Sequence, residues 1–387
     1  MALNLQMTDE QTLLRESVLV WSEENQQPST ERWKAMARLG WQGMTLPEAY
    51  GGSNQGLAEA CVLAQALGDR SIAQSYADLI VLAAEFIAQT ASAEQAARWL
   101  PSIIDGSMRV APAQLEPGIT RDAELFRTRA IQSGDQWQID GEKRPVCGLA
   151  SHYLLCASSD VGTVFFVIAR DHSGLEVREF EAVDGERVAA LKFKAVMVND
   201  SQRLTSANLR SYYSAQDRAT LVACAEEVGA MQAALRATIE YTRTREQFGK
   251  PLAANQVVAH RLADMSIACE EAQAMVQGAV LEIAEADRSF LQSDTDPLAL
   301  RARPHSESTT QAVSLAASQA YARAASLARA KVSKLAQRVL EEAIQLHGGM
   351  GVTDELAIAH YLRRHLALDA RFGDARGQLD RYARLPR

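Results

Sequence analysis

Asp374 carries a carboxylate that could act on a substrate. It lies among glycines and arginines in the stretch RFGDARGQLDR, residues 371–381. A carboxylate placed against a substrate can work as a general base. Arg376, two residues further on, would hold Asp374 ionised and weakly basic if the two side chains meet. The sequence leaves two interpretations open: Asp374 is a catalytic base, or it marks a position from which a base has been lost.

Two glycine-containing motifs follow long helical patterns. They are RTREQFGKP, which contains Arg245, Gln247 and Phe248, and QLHGGMG, which contains Gln345, Gly348 and Gly349. Taken alone, both motifs describe helix ends, since the helix dipole favours a cation in the last turn and glycine ends helices. His347 has no obvious partner in the sequence and is interpreted as structural.

The composition limits the partners that these residues can serve. The 387 residues carry a formal net charge of -8, which gives no long-range attraction to nucleic acid or to anionic membrane surfaces. No apolar run reaches the roughly 18 to 20 residues that span a bilayer, and the N-terminus MALNLQMTDEQ lacks a basic-then-apolar signal. We therefore expect a cytoplasmic protein that acts on small molecules or with other proteins.

The cysteines give no sign of a metal site or a disulfide framework. They show neither CxxC spacing nor clustering with histidine, and they are Cys61, Cys147, Cys156, Cys224 and Cys269. We expect most of them to be buried thiols.

Helical patterns cover the first quarter of the chain and return from about residue 216. TDEQTLLRESVLVWSEE pairs Thr8 with Gln11 at the spacing of a capping box. Between about residues 108 and 200, short β-branched and aromatic runs predict a small sandwich or barrel rather than a parallel sheet. Residues 288–310 contain two prolines and many polar residues, and they predict an inserted mobile loop.

Several strings follow one another in a fixed order: MTDEQTLLRESV, GWQGMTLPEAYGGSNQG, LEPGITRD, WQIDGEK, YTRTREQFGKPLAANQ and QLHGGMGVTDE. In this order they resemble the acyl-CoA dehydrogenase family, and the resemblance covers essentially the whole chain. It implies a mainly α fold with a central β domain. The expected parts are an N-terminal helical domain (1–107), a middle β-sandwich or barrel (108–215) and a C-terminal four-helix bundle for oligomerisation (216–387).

The resemblance also implies a chemistry. The family oxidises the Cα–Cβ bond of an acyl-CoA thioester with FAD and passes electrons to an electron-transferring flavoprotein. A base removes the α-proton, the flavin accepts the β-hydride, and hydrogen-bond donors stabilise the thioester oxygen.

Residues that match the family's FAD contacts lie mainly in the helical C-terminal part. By resemblance, Arg245 and Gln247 reach the pyrophosphate, Phe248 packs by the adenosine, and Gln256 contacts the flavin or its tail. Gln345 and Gly349, with Gly348 beside them, would touch the FAD tail of a neighbouring subunit. Gln378 matches a position at the adenine end.

The middle strings depart from the family. In LEPGITRD, a hydroxyl residue and a Gly-Ser pair are replaced by Leu115, Thr120 and Arg121. After WQIDGEK, Pro145 and Cys147 stand where the family has a Trp against the flavin and a Thr near N5. Proline offers no aromatic wall and a thiol is a poor donor, although a gap in the match would misplace these two residues.

The positions for a base are altered too. Ala219 occupies the position at which some members carry the base, and nearby Asp217 is expected to be the N-cap or a first-turn residue of a helix. The more usual base string falls on residues 373–376, where Asp374 is one methylene shorter than the family's Glu. A displacement of about 1 Å can cost around a hundredfold in rate, so Asp374 is interpreted as a vacated catalytic position.

These departures favour a subunit of a heteromeric α2β2 acyl-CoA dehydrogenase, in which a homologous partner supplies the base and this chain completes the FAD site. The acyl group is not specified, and a steroid side chain or another bulky acyl-CoA is one candidate. The alternatives are a self-sufficient homotetrameric dehydrogenase that uses Asp374 and a flavin-free structural or CoA-binding subunit.

Overall fold

A computed structural model describes residues 7–24, 29–72, 75–118, 126–295 and 308–386. Within these ranges the chain is mainly α-helical with a central β-sheet, which confirms the predicted fold class. The described residues form two compact units, with 7–24, 57–72 and 220–386 in the first and 29–56 and 75–219 in the second. The predicted domain boundaries near residues 107 and 215 stay predictions.

The helices follow in chain order: α1 (Asp9–Glu24), α2 (Ser29–Arg38), α3 (Leu57–Asp69), α4 (Glu85–Thr90), α5 (Ala93–Ile104), α6 (Leu209–Thr244), α7 (Gln256–Thr295), α8 (Ser308–His347), α9 (Ile358–Phe372) and α10 (Ala375–Arg384). A π-helix, Ala77–Ala84, leads into α4. The predicted capping box is confirmed, since the Thr8 N–H donates to Gln11 at 3.1 Å and the Gln11 N–H donates to Thr8 at 3.2 Å. Within the described ranges, no helix is long and apolar enough to cross a membrane.

Two predicted boundaries were wrong. Helix α6 begins before residue 216 because Asn208 caps it, its Oδ1 accepting the Ser211 N–H at 3.0 Å. Helix α7 runs to Thr295 and α8 begins at Ser308, so helix occupies both ends of the stretch predicted as a loop. The remainder of that stretch, 296–307, lies outside the described residues.

Seven strands of the second unit form one sheet: β1 (Val110–Ala113), β2 (Arg129–Ser133), β3 (Gln136–Cys147), β4 (His152–Ser159), β5 (Gly162–Ala169), β6 (Leu175–Glu181) and β7 (Arg187–Asn199). Their order is β1-β4-β2-β3-β7-β6, with β5 paired to β4. The β1–β4 and β2–β4 pairs are parallel and the others antiparallel. β4 and β5 each bury five consecutive residues, which explains their continuous apolar runs.

In the first unit, α3 crosses α6 so closely that two glycines are required. A Cβ on Gly68 would lie 2.0 Å from the Glu226 carbonyl oxygen, and one on Gly229 would lie 1.9 Å from the Gln65 carbonyl oxygen. Beside this crossing, the Gln65 amide donates to Gln273 on α7 at 2.6 Å and to Gln232 on α6 at 3.1 Å. The backbones therefore touch, and an amide network fixes the three helices to one another.

We expect Gly229→Ala to lower the free energy of unfolding by about 1 to 3 kcal/mol or more, because the new methyl forces α3 and α6 apart. Gly278→Ala on α7 is the matched control, since its Cβ would meet nothing within 4 Å. A helical glycine without such a contact gains roughly 0.5 to 1 kcal/mol on replacement by alanine. Urea unfolding of both variants checks this, and equal effects would refute the close crossing.

Candidate functional site

The RTREQFGK motif forms a hairpin at the end of α6. Strands β8 (Glu246–Gln247) and β9 (Lys250–Pro251) pair antiparallel across a turn in which Phe248 and Gly249 have φ of 55° and 76°. Two central residues with positive φ are the mark of a type I′ hairpin turn. Phe248 holds a left-handed backbone that is unusual for a bulky residue, and it is 99% exposed. Arg245 and Gln247 are also exposed, so the hairpin presents a cation, an amide and an aromatic ring to a ligand or a neighbour.

The QLHGGMG motif forms an open turn after α8. Gly348 has a φ of 60°, and a Cβ on Gly348 or on Gly349 would meet nothing within 4 Å. Both glycines are exposed, as is Gln345 in the last turn of α8. The backbone at these two glycines is therefore accessible from outside, because neither has a side chain to cover it.

One contact brings these two motifs together. The His347 ring stacks on the Tyr241 ring, with centroids 4.4 Å apart and planes inclined by 24°. The Tyr241 hydroxyl also donates to the His347 carbonyl oxygen at 3.4 Å. His347 thus has the structural partner that the sequence did not reveal, and Tyr241 was missed. Its only sequence signal is an aromatic residue one helical turn before Arg245.

Two other predicted FAD contacts differ in their surroundings. Gln256 is the exposed first residue of α7. Gln378 is only 3% exposed, and its amide donates to the Phe372 carbonyl oxygen at 2.6 Å, which ties α10 to the end of α9. The contact of Gln378 with an adenine stays a prediction, and the residue serves a helix junction within its own chain.

Asp374 is the N-cap of α10. Its Oδ1 accepts the Gly377 N–H at 2.8 Å, and the side chain is exposed at the turn that follows Gly373. N-capping satisfies a backbone donor that would otherwise lack a partner. The carboxylate thus has a structural task that explains its presence without a substrate.

A buried ionic network contacts Gly373, the residue before Asp374. The Arg329 guanidinium on α8 donates to Glu227 at 2.6 Å, to Asp369 at 2.5 Å and to the Gly373 carbonyl oxygen at 2.9 Å. His365 Nδ1 lies 2.9 Å from a Glu227 oxygen. Arg329 is fully buried, so its charge must be compensated by these partners.

The network shifts the pKa of its members. Burial lowers the pKa of His365, but the hydrogen bond to Glu227 and the charges of Glu227 and Asp369 raise it above the ordinary value. Burial raises the pKa of Asp369, and the charge of Arg329 opposes this. Ligand atoms of Glu227, His365 and Asp369 lie within 4.8 Å of one another, as in a metal site. Arg329 already bonds both carboxylates, which argues against a metal ion there.

In the second unit, a buried ion pair joins the two middle strings. Lys143 Nζ of DGEK lies 2.7 Å from Glu116 of LEPG, and both side chains are buried. The other Glu116 oxygen accepts the Arg127 N–H at 2.7 Å. Burial lowers the pKa of Lys143, and the charge of Glu116 opposes this. The pair fixes the start of LEPGITRD to β3, while Thr120 and Arg121 lie outside the described residues.

Pro145 and Cys147, at the positions matched to the family's Trp and Thr beside the flavin, provide neither an aromatic ring nor a strong hydrogen-bond donor. Pro145 is exposed where the β3–β7 register shifts between Lys143 and Val146. Cys147 is paired opposite Val188 and is buried. All five cysteines are buried, which confirms the prediction that most of them are buried thiols.

The alternative position for a base holds no carboxylate. Ala219 is fully buried. Asp217 does not cap a helix as expected, because Asn208 caps α6 and Asp217 lies well inside it. The correction follows from the polar stretch LRSYYSAQ, which continues the helix toward the N-terminus despite its weak apolar pattern.

Sequence profiles of a known family match most of the chain. The profile for "Acyl-CoA dehydrogenase, N-terminal domain" matches residues 8–107. The profile for "Acyl-CoA dehydrogenase, C-terminal domain" matches residues 215–299 and 298–384. The chain belongs to the acyl-CoA dehydrogenase family. Membership in this family indicates an FAD-dependent oxidoreductase.

Curated relatives of the acyl-CoA dehydrogenase family match over most of their length. Acyl-CoA dehydrogenase FadE27 of Mycobacterium tuberculosis is 26% identical over 358 residues, covering 92% of this chain and 87% of the relative. Acyl-CoA dehydrogenase FadE12 of the same species is 27% identical over 353 residues, covering 86% and 81%.

Solved structures share the fold of this chain. A variant of the Tcur3481-Tcur3483 steroid ACAD matches with a TM-score of 0.80 and 26% identity, covering 97% of both chains. The ChsE4-ChsE5 complex from Mycobacterium tuberculosis matches with a TM-score of 0.81 and 24% identity, covering 99% of this chain and 98% of the other. The second likeness shows the fold alone.

The exposed residues of the first unit fit the tail of an FAD. A pyrophosphate needs cations and amide donors, which Arg245, Gln247 and the open backbone at Gly348 and Gly349 can provide. An adenosine ring needs a flat apolar surface, which the Phe248 side chain can provide.

We expect Asp374→Asn to leave turnover of the assembled enzyme within about threefold of wild type, since loss of a true base would cost roughly a hundredfold or more. Asp374→Ala should lower the free energy of unfolding by about 0.5 to 2 kcal/mol, because alanine cannot cap α10 whereas asparagine can. Steady-state kinetics and urea unfolding check the pair. Loss of turnover in Asp374→Asn with normal stability would make Asp374 the base.

The raised pKa of His365 predicts a pH-dependent stability. Its contribution is fully present below its ordinary pKa of 6.5 and is lost as pH rises through the raised pKa. Unfolding in urea from about pH 6 to pH 9 should show this decline in wild type and a weaker one in His365→Gln. His260→Gln, at an exposed position on α7, is the control and should keep the wild-type slope.

Proposed function

We propose that this chain is the half-site subunit of a heteromeric α2β2 acyl-CoA dehydrogenase that introduces a Cα–Cβ double bond into an acyl-CoA. A homologous partner subunit supplies the catalytic base, and this chain completes the FAD site. Electrons leave the complex through an electron-transferring flavoprotein.

The observation that carries the proposal is the capping bond of Asp374. Its carboxylate accepts the Gly377 N–H at 2.8 Å and begins a helix. The alternative position holds Ala219, whose methyl side chain cannot accept a proton. Neither position gives this chain a carboxylate poised to remove an α-proton.

The cofactor contacts support the same division of labour. Arg245, Phe248 and Gln345 are exposed on the first unit, as expected of residues that serve a neighbour's FAD tail. At the positions matched to the flavin wall, Pro145 and Cys147 provide neither an aromatic face nor a strong donor.

When bound, FAD supplies the acceptor for the β-hydride. The residues of this chain bind and orient it. Arg245 balances pyrophosphate charge, Gln247 and Gln345 donate amide hydrogens, and Phe248 covers the adenosine. A cation bonded to phosphate also gives orientation, because charge-assisted hydrogen bonds are short and directional.

The substrate proposal rests on one relative. The Tcur3481-Tcur3483 protein is described as a steroid ACAD and is 26% identical to this chain. We propose a bulky acyl-CoA of the steroid side-chain class as the substrate of the complex.

The flavin-to-protomer ratio tests the proposal. The chain is purified alone and together with candidate homologous subunits, and bound FAD is quantified by absorbance. We expect about half an FAD per protomer in an active complex, and an inactive chain without stoichiometric FAD when it is purified alone. Full occupancy with turnover by the chain alone would instead support the homotetrameric enzyme, and a complex without a flavin spectrum would support the flavin-free subunit.

A single variant tests the tail contact. We expect Arg245→Ala to weaken FAD binding by the complex roughly tenfold to a hundredfold, since a hydrogen bond to a charged group contributes about 1.5 to 3 kcal/mol. Arg38→Ala is the matched control, because Arg38 is an exposed arginine in the last turn of α2, and Arg245 is an exposed arginine directly after the last turn of α6. An unchanged FAD dissociation constant in Arg245→Ala would remove this residue from the site.

A further inference from the structure

Tyr241 and His347 are not among the residues proposed to contact the FAD tail. They nevertheless join the two motifs that contain those residues. We propose that they form a positioning pair that holds the hairpin at the end of α6 against the glycine turn at the end of α8. The inference rests on the proposed role of both motifs in binding the FAD tail.

On α6, backbone hydrogen bonds connect Tyr241 with Arg245 and the hairpin. The Tyr241 carbonyl oxygen accepts the Arg245 N–H at 2.8 Å, and the Arg245 carbonyl oxygen accepts the Leu252 N–H at 2.9 Å. The first bond closes the last turn of the helix and the second closes the hairpin. A shift of Tyr241 therefore moves the backbone from which Arg245 and Phe248 project.

On α8, His347 is the last residue before the glycine turn. The His347 ring is held by Nδ1, which lies 2.8 Å from the Ala343 carbonyl oxygen. A carbonyl oxygen only accepts, so this nitrogen carries the proton and the ring orientation is fixed. Gly348 follows His347 directly, and Gln345 precedes it by two residues.

The pair is more buried than the residues of the hairpin and the glycine turn that it supports. His347 is 5% exposed and Tyr241 is half-buried, whereas Arg245, Phe248, Gly348 and Gly349 are exposed. Helix ends fray when nothing holds them, and both motifs lie at helix ends. The ring stack and the hydroxyl bond to the His347 carbonyl join the two ends beneath the surface, so that the tail residues are arranged before a ligand arrives.

The test uses FAD as the probe and the assembly that binds it, either the heteromeric complex or the homo-oligomer. Tyr241→Leu keeps apolar bulk but removes the ring and the hydroxyl, and we expect the dissociation constant for FAD to rise about tenfold. Tyr241→Phe keeps the stack and should restore binding to within about threefold. Tyr382→Leu is the matched control, because Tyr382 is a tyrosine outside both motifs whose ring contacts Arg323, and it should leave the constant unchanged.

A second readout is independent of bound flavin. Hydrogen exchange at the Leu252 amide reports the hairpin closure, and it should be faster in Tyr241→Leu than in wild type or Tyr241→Phe, with helix-core amides of α6 unchanged. If Tyr241→Leu fails to fold, the same two measurements on His347→Leu decide the question. FAD binding within about twofold of wild type would overturn the positioning role, and faster exchange at Leu252 would then show only that the pair stabilises the hairpin.

Arg245→Ala separates failure of this inference from failure of the proposed function. If Arg245→Ala weakens FAD binding and Tyr241→Leu does not, the tail site stands and the positioning role falls. If Arg245→Ala also has no effect, the tail site itself falls, and faster exchange at Leu252 in Tyr241→Leu would then establish only a structural clamp.

Discussion

The buried charge of Arg329 is the constraint on which the helical unit depends. The Arg329 guanidinium stays protonated at any ordinary pH, and it is fully buried. Helices α6 and α9 must therefore place Glu227 and Asp369 against this guanidinium. Breaking a buried pair by removing one partner costs about 3 to 5 kcal/mol. Because the Gly373 carbonyl is a third acceptor, the same cation fixes where α9 ends and where Asp374 begins α10.

The proposed role as a half-site subunit is based on where the polar groups of the chain make their contacts. Around Asp374, Gln378 and Gly373, hydrogen bonds are made within the chain and link α8, α9 and α10. At the ends of α6 and α8, the backbone and side chains of the hairpin and glycine turn face outward. This arrangement agrees with the proposed role, in which another chain holds most of the cofactor.

Several features could be predicted from local sequence because local physics determines them. The capping box at Thr8 needs only residues three apart, and the β domain is recognised from short β-branched runs. The start of α6 could not be predicted, because LRSYYSAQ lacks a strong apolar stripe and is held in the helix by the Asn208 cap. Tyr241 was also missed, since its partner lies 106 residues away along the chain.

The sequence by itself determined the family, the mainly helical fold with its central β domain, and the motifs that the proposal assigns to FAD. It also led to the prediction that neither Asp374 nor the position of Ala219 supplies the base. Only the tertiary structure decided that Asp374 caps a helix, that Gln378 is buried at a helix junction, and that His347 joins two motifs. The reason is that side-chain contacts between distant segments depend on helix crossings such as Gly68 with α6, and no local pattern records which side chains such crossings bring together.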